Sequence, residues 1–204
     1  NLVDDGAAAT GEIIFQIIMA LAGSIDQYAA QALYTAISTD TGSFRFGNTT
    51  AQSHRIAAKL LDIGIETERI NRILYQANRI ERIRLLGKAL NSLSLDEDNK
   101  IATMIITQED LAETGALESE IENMVNYAGD IIGVEIGILL KETDEGIVRV
   151  SFRSKGKIDV GKLAGQFGGG GHRSASGASL HMDIKQAKNK VLFATKKMLM
   201  ATMQ

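Results

Sequence analysis

The spacing of apolar residues changes character near Leu90, and the change divides the chain into two kinds of structure. Before it, apolar residues recur at helical intervals. Ile13, Ile14, Ile17, Ile18 and Leu21 stripe a helix over residues 7–22, and an alanine-rich helix follows over 25–37. A third helix, over 52–62, has Thr49 or Thr50 as its cap and Gly64 as its stop. A longer one over 66–90 carries Ile70, Ile73, Leu74, Ala77 and Ile80 as its seam. Residues 39–43 break the second helix, and 44–46 read as a short extended piece.

Beyond Leu90 the pattern is mixed. Residues 100–107 are β-rich, 108–114 and 118–127 read as short helices, and 131–140 as a buried strand. Val148, Val150 and Phe152 alternate with Arg149, Ser151 and Arg153, so this strand has one core face and one polar face. Residues 144–146 supply the turn before it. Residues 158–167 form a helix, 178–182 a strand, and Ile184, Ala187, Val191, Ala194, Met198 and Ala201 stripe a closing helix. The fold class is therefore α/β in two lobes. A helical lobe spans 1–75, a helical linker 76–93, and a mixed lobe 94–204.

Composition limits the chemistry. The chain has no cysteine, which excludes disulfides and thiolate metal sites. A metal here is held by carboxylates, imidazoles or carbonyls, a donor set suited to Mg²⁺ or Mn²⁺. No apolar run approaches the roughly 18 residues of a membrane helix, and no signal sequence opens the chain. No membrane partner is expected, and the cytoplasm is the expected location. The net charge of −3 argues against a protein that coats nucleic acid. Residues 149–173, however, hold Arg149, Arg153, Lys155, Lys157, Lys162 and Arg173 against Asp159 alone. A basic patch on an acidic chain suits a small anionic ligand; a solvated basic face is the other reading.

The patch ends in Gly168-Gly169-Gly170-Gly171-His172. Four glycines cost backbone entropy on ordering, and their common use is to bring backbone N–H groups close to an anion. On that reading valine at Gly169 or Gly170 harms binding more than folding. A surface turn with an incidental histidine is the alternative. Asp40, between two threonines and before Gly42, is a metal ligand or a turn aspartate. His54 and His181 read as structural or surface residues, and the arginines from Arg69 to Arg84 as a solvated face.

Three ordered motifs carry a resemblance. Residues 167–177, Phe-Gly-Gly-Gly-Gly-His-Arg-Ser-Ala-Ser-Gly, resemble the signature of DHHA1 domains, and Val150-Ser151-Phe152-Arg153-Ser154 resembles the strand that precedes it. Thr39-Asp40-Thr41-Gly42-Ser43-Phe44-Arg45-Phe46 resembles the last motif of the DHH domain. Ala7-Ala8-Ala9-Thr10-Gly11-Glu12 resembles the helix start that follows the DHH motif. The similarity runs along essentially the whole chain and is closest to bacterial nano-RNA phosphodiesterases that also dephosphorylate 3′-phosphoadenosine 5′-phosphate.

The resemblance implies a metal-dependent phosphoesterase with a dinuclear Mn²⁺ (or Mg²⁺) centre between two lobes. It implies that Asp40 is a metal ligand. It also implies that Arg153, Ser154, Gly168, Gly169, Gly170, Gly171 and His172 bind substrate. The chain has no His-His pair and no proline, so the remaining ligands of the family are expected before Asn1. The chain is then the C-terminal part, inactive alone, with the DHH lobe as its missing partner. A homodimer is possible. Ile13, Ile17, Leu33 and Ile37 are expected to face the missing sheet. The alternative is a non-catalytic module for nucleotides or single-stranded RNA.

Overall fold

The structure is a computed structural model that describes residues 4–143 and 145–203. It divides into two compact units, 1–77 and 78–204.

The first unit is helical: α1 (Thr10–Ala22), α2 (Gln27–Asp40), α3 (Ala51–Asp62) and α4 (Thr67–Tyr75). Local chemistry sets the starts. The Asp26 carboxylate accepts the Ala29 N–H at 2.8 Å, and Thr50 and Ser53 cap α3 reciprocally. Its core joins Phe15, Ala30, Leu33, Ile37, Ile56, Leu60 and Ile70. The α1 stripe is turned from expectation. Gly11, Glu12 and Phe15 are the buried positions, because a Cβ at Gly11 would already meet Ala36 and Ile37 at 3.2 Å. Ile14 and Leu21 are exposed, and Ile13 and Ile17 line an open cleft. Leu33 and Ile37, expected at an uncovered face, lie instead in the core.

The expected long helix over 66–90 is two helices, α4 and α5 (Ile80–Asn91). Ile70 and Leu74 pack into the first core, Leu85 and Ala89 into the core of the second unit. The seam residues between them, Ile73 and Ile80, are exposed. Helix stability comes mostly from packing an apolar face, and the two segments pack against different cores.

The second unit continues as β1 (Ser94–Asp96), β2 (Ile101–Ile106), α6 (Gln108–Thr114), a 3₁₀ turn (Glu118–Ile121), α7 (Val125–Gly129), β3 (Ile136–Glu142) and β4 (Val148–Ser154). It ends with α8 (Val160–Gly165), β5 (Gly170–Gly171), β6 (Ala175–Leu180) and α9 (Ile184–Met203). The sheet order is β1-β2-β3-β4-β6-β5. Among the described residues only β2 and β3 pair in parallel, and α6 and α7 lie in the connection between them. The expected turn over 144–146 includes Asp144, which lies outside the described residues.

Alternation assigns the faces. Ile138, Leu140, Val150, Phe152 and Ala178 point to the side covered by α8 and α9. Ala102, Met104, Ile106 and Leu139 point to the side covered by α5, α6 and α7. That second layer of helices lies over β2 and β3. On β4 and β6 the same face presents Arg149, Ser151, Arg153, Ala175, Gly177 and Ser179, in register as Arg149↔Ser179, Ser151↔Gly177 and Arg153↔Ala175. Among the described residues, no helix is long and apolar enough to cross a membrane.

Candidate functional site

The glycine run is built from the end of α8. Gly168 takes a left-handed φ of 73° and the Gly169 N–H donates to Ala164 O at 3.0 Å, so the pair closes the helix. A Cβ at Gly169 would lie 2.1 Å from Gly177 O, and one at Gly171 2.6 Å from Ala175 O. Gly170 meets nothing within 4 Å. The N–H groups of Gly168 and Gly169 are thus used inside the fold, and that of His172 donates to Ala175 O at 2.8 Å. These three N–H groups are therefore not free to take part in an anion cradle. Gly169 and Gly171 are glycine because β6 passes against them. Gly168 and the stretch from Gly170 to Ser174, which includes the His172 side chain, are exposed, while Gly170 and Gly171 also pair with Gly177 and Ser176 of β6.

Arg153 lies on β4, across β6 from Gly170 and Gly171. Its register partner Ala175 is the residue that accepts the His172 N–H, and Ser154 N–H donates to Ser174 O at 2.9 Å. The Arg153 guanidinium is half-buried. Its Nε–H donates to Asn126 Oδ1 at 3.0 Å and its Nη1 to Phe152 O at 3.0 Å. Burial lowers its pKa, and the Glu122 carboxylate opposes that shift. The group stays charged, and a cation short of water gains more from an arriving anion than an exposed one.

Ser154 is placed differently. By alternation it faces away from Arg153, and its hydroxyl donates to Ile158 O at 2.7 Å while accepting the Gly156 N–H at 3.1 Å. It orders the turn that leads to α8. Arg173 also serves structure, with Nε donating to Gly156 O at 3.1 Å. Nothing in the sequence singles out Asn126. Its neighbourhood reads only as a short helix, and its role appears once β4 is set beside α7.

Asp40 lies in the first unit as the last residue of α2, with an exposed side chain. Residues 44–46, expected to be extended, form part of a turn in which Gly42, Ser43 and Phe44 have φ of 56°, 58° and 62°. The buried Thr41 hydroxyl holds it, donating to Ile37 O at 2.6 Å and accepting the Phe44 N–H at 3.1 Å. Asn48 Nδ2 donates to both Ala8 O and Asp40 O, tying the turn to the start of α1. Beside it opens a cleft of about 560 Å³ lined by Asp4, residues 7–10, Ile13, Ile14, Ile17 and Asp40. His54 stacks on Phe44 with ring centroids 5.0 Å apart, and His181 is exposed after β6.

A divalent ion needs more ligands than this. Among the described residues no three His, Cys, Asp or Glu side chains come together. Asp40 and Asp4 at one cleft fit a partial donor set, not a complete site.

The family model for the DHHA1 domain matches residues 98–199. The chain belongs to the DHHA1 family. It is 32% identical over 200 residues to a bifunctional oligoribonuclease and PAP phosphatase, NrnA, of Thermus thermophilus, covering 98% of this chain and 60% of that one. It is 32% identical over 182 residues to the protein of the same name in Bacillus subtilis, covering 88% of this chain and 57% of that one. A crystal structure of an exopolyphosphatase-related protein from Bacteroides fragilis superposes with a TM-score of 0.93 at 27% identity, covering all of this chain and 60% of that chain. This DHHA1 chain therefore spans about 60% of the length of these relatives. The mixed α/β class expected from the periodicity is the observed one, and the matched residues contain the entire β2-to-β6 sheet and the glycine turn.

Proposed function

We propose that this chain is the substrate-binding part of a metal-dependent phosphoesterase that hydrolyses short oligoribonucleotides or 3′-phosphoadenosine 5′-phosphate. The relatives' names supply the reaction. The observation that carries the reading is the half-buried Arg153 cation, held by Asn126, paired with the strand β6 on whose other side the exposed Gly170-Gly171 segment and His172 follow.

In this reading Arg153 receives a substrate phosphate through its unused guanidinium N–H groups. His172 supplies a second donor to the same anion. Gly170 and Gly171 keep the approach open, while Gly168, Gly169 and Ser154 hold the backbone that presents them. The metal, Mn²⁺ or Mg²⁺, would polarise the attacked phosphoryl group. Asp40 contributes one carboxylate to it, and the described residues do not supply a full ligand set. The working location is the cytoplasm.

Calorimetric titration with the 5′-phosphorylated trinucleotide pApApA tests the anion site. A charge-assisted hydrogen bond is worth roughly 1.5–3 kcal/mol, so Arg153→Ala and His172→Ala each weaken binding about tenfold. Unchanged affinity in both variants would remove the site.

A further inference from the structure

The polar face of β4 does not end at Arg153. The helical layer that covers β2 and β3 stops along one line. At one end of that line Gly129 lies against the sheet, where a Cβ on Gly137 would meet Gly129 N at 2.5 Å and one on Gly129 would meet Arg153 Cβ at 3.5 Å. At the other end the 3₁₀ turn sends Glu118 to Lys141 Nζ at 3.0 Å. β4 runs along the foot of this layer, touched by α7 at its Arg153 end.

Arg149 stands at the far end of that foot. It is exposed, shares the face with Arg153, and is directly opposite Lys141 in register. Like charges directly opposite on paired strands are destabilising. Glu118 pairs with Lys141, and Arg149 stands opposite that lysine at the exposed end of the face. Between the two arginines the floor is Ser151 and its partner Gly177, whose missing side chain leaves the surface low.

Arg153 lies four residue steps along the strand from Arg149, about 13 Å at ~3.3 Å per residue. One phosphate group does not span that distance. The phosphates of a strand of a few nucleotides do. We propose that Arg149, beside Lys141, is a second phosphate contact on the open sheet face, so that the site favours an oligonucleotide over a mononucleotide. The proposal rests on Arg153 being the first phosphate contact.

The test compares AMP with pApApA on the 204-residue chain. Arg149→Ala is expected to leave AMP affinity unchanged and to weaken pApApA binding about three- to fivefold, as for an exposed charge contact. The slope of log affinity on log salt for pApApA falls in magnitude by about 0.7, one single-strand phosphate contact. Arg149→Lys retains most of the affinity, and Arg153→Ala weakens both ligands. The thermal midpoint of Arg149→Ala stays level or rises, because the repulsion with Lys141 is relieved. Equal weakening of both ligands by Arg149→Ala, or no effect on either while Arg153→Ala still acts, overturns the second contact alone. If the unaltered chain binds neither ligand, the first contact fails and this one falls with it.

Discussion

Asn126 Oδ1 accepts the Nε–H of Arg153 at 3.0 Å, and this bond joins α7 to β4, the strand paired with β6. A long arginine loses considerable rotamer freedom when it is held. Asn126 takes part of that cost at folding, before any ligand arrives. Asn126→Ala therefore weakens pApApA binding several-fold, while Arg153→Lys does not recover the native affinity because lysine lacks the Nε–H that Asn126 holds. Titrations of the two variants and the double variant give the check. Additive losses would show that Asn126 does not act through Arg153.

The glycines of the turn separate by what a Cβ would touch. Gly169→Ala places a methyl 2.1 Å from Gly177 O and Gly171→Ala one 2.6 Å from Ala175 O, both backbone atoms that cannot swing away. Each is expected to cost about 1–3 kcal/mol. Gly170→Ala meets nothing and changes stability by about 0.5 kcal/mol or less. Urea melts of the three variants check the order, and equal losses would refute it.

The glycine result marks where sequence reading stopped. The run was legible as special, but a repeat of one residue type cannot say which copy caps a helix, which meets a strand and which stays open. Those roles follow from α8 ending at Gly165 and β6 passing behind. The alternation from Val148 to Arg153 was legible because period 2 is a local property. The break between α4 and α5 was not: Ile73 and Ile80 keep helical spacing, yet their neighbours pack against two different cores. The face of α1 was misjudged for a related reason. Gly11 and Glu12 carry little hydrophobic signal, although close approach to α2 and the hydroxyl of Ser53 bury them. In the site, Arg153 and His172 were visible as charges near glycine. Asn126 was not, being 27 residues away in sequence from its partner.

The start of α6 gives a pH-dependent contribution. The Asp110 carboxylate accepts the N–H and hydroxyl of Thr107 at 3.0 and 2.9 Å, and Lys88 lies 3.5 Å away. Burial alone raises its pKa, but the Thr107 hydrogen bonds and the Lys88 charge outweigh that and hold it below its usual value. A depressed carboxylate pKa stabilises the fold above the unfolded value of roughly 3.9, and the benefit is lost as pH falls through the folded value. Asp110→Ala is expected to cost about 1 kcal/mol at neutral pH and markedly less near pH 3. Denaturant melts at both pH values decide it; a cost that persists in acid would show that the charge is not what matters.

Asp40 sits where a carboxylate is least welcome. It is the last residue of α2, at the negative end of the helix dipole, and its side chain is exposed. The bond that ties the turn together uses its backbone oxygen, which Asn48 Nδ2 reaches at 3.1 Å. Removing the charge therefore breaks nothing and relieves a repulsion. Asp40→Asn is expected to raise stability by about 0.3–1 kcal/mol. Without a third ligand among the described residues, the chain is expected to gain no thermal stability from micromolar Mn²⁺ and to release no product from a 5′-labelled dinucleotide RNA. A melt with and without Mn²⁺, run on the native chain and on Asp40→Asn, tests both halves. A metal-dependent rise in the midpoint that Asp40→Asn abolishes would mean that this chain holds the ion by itself, and the ligand count argued from the cleft would have to be abandoned.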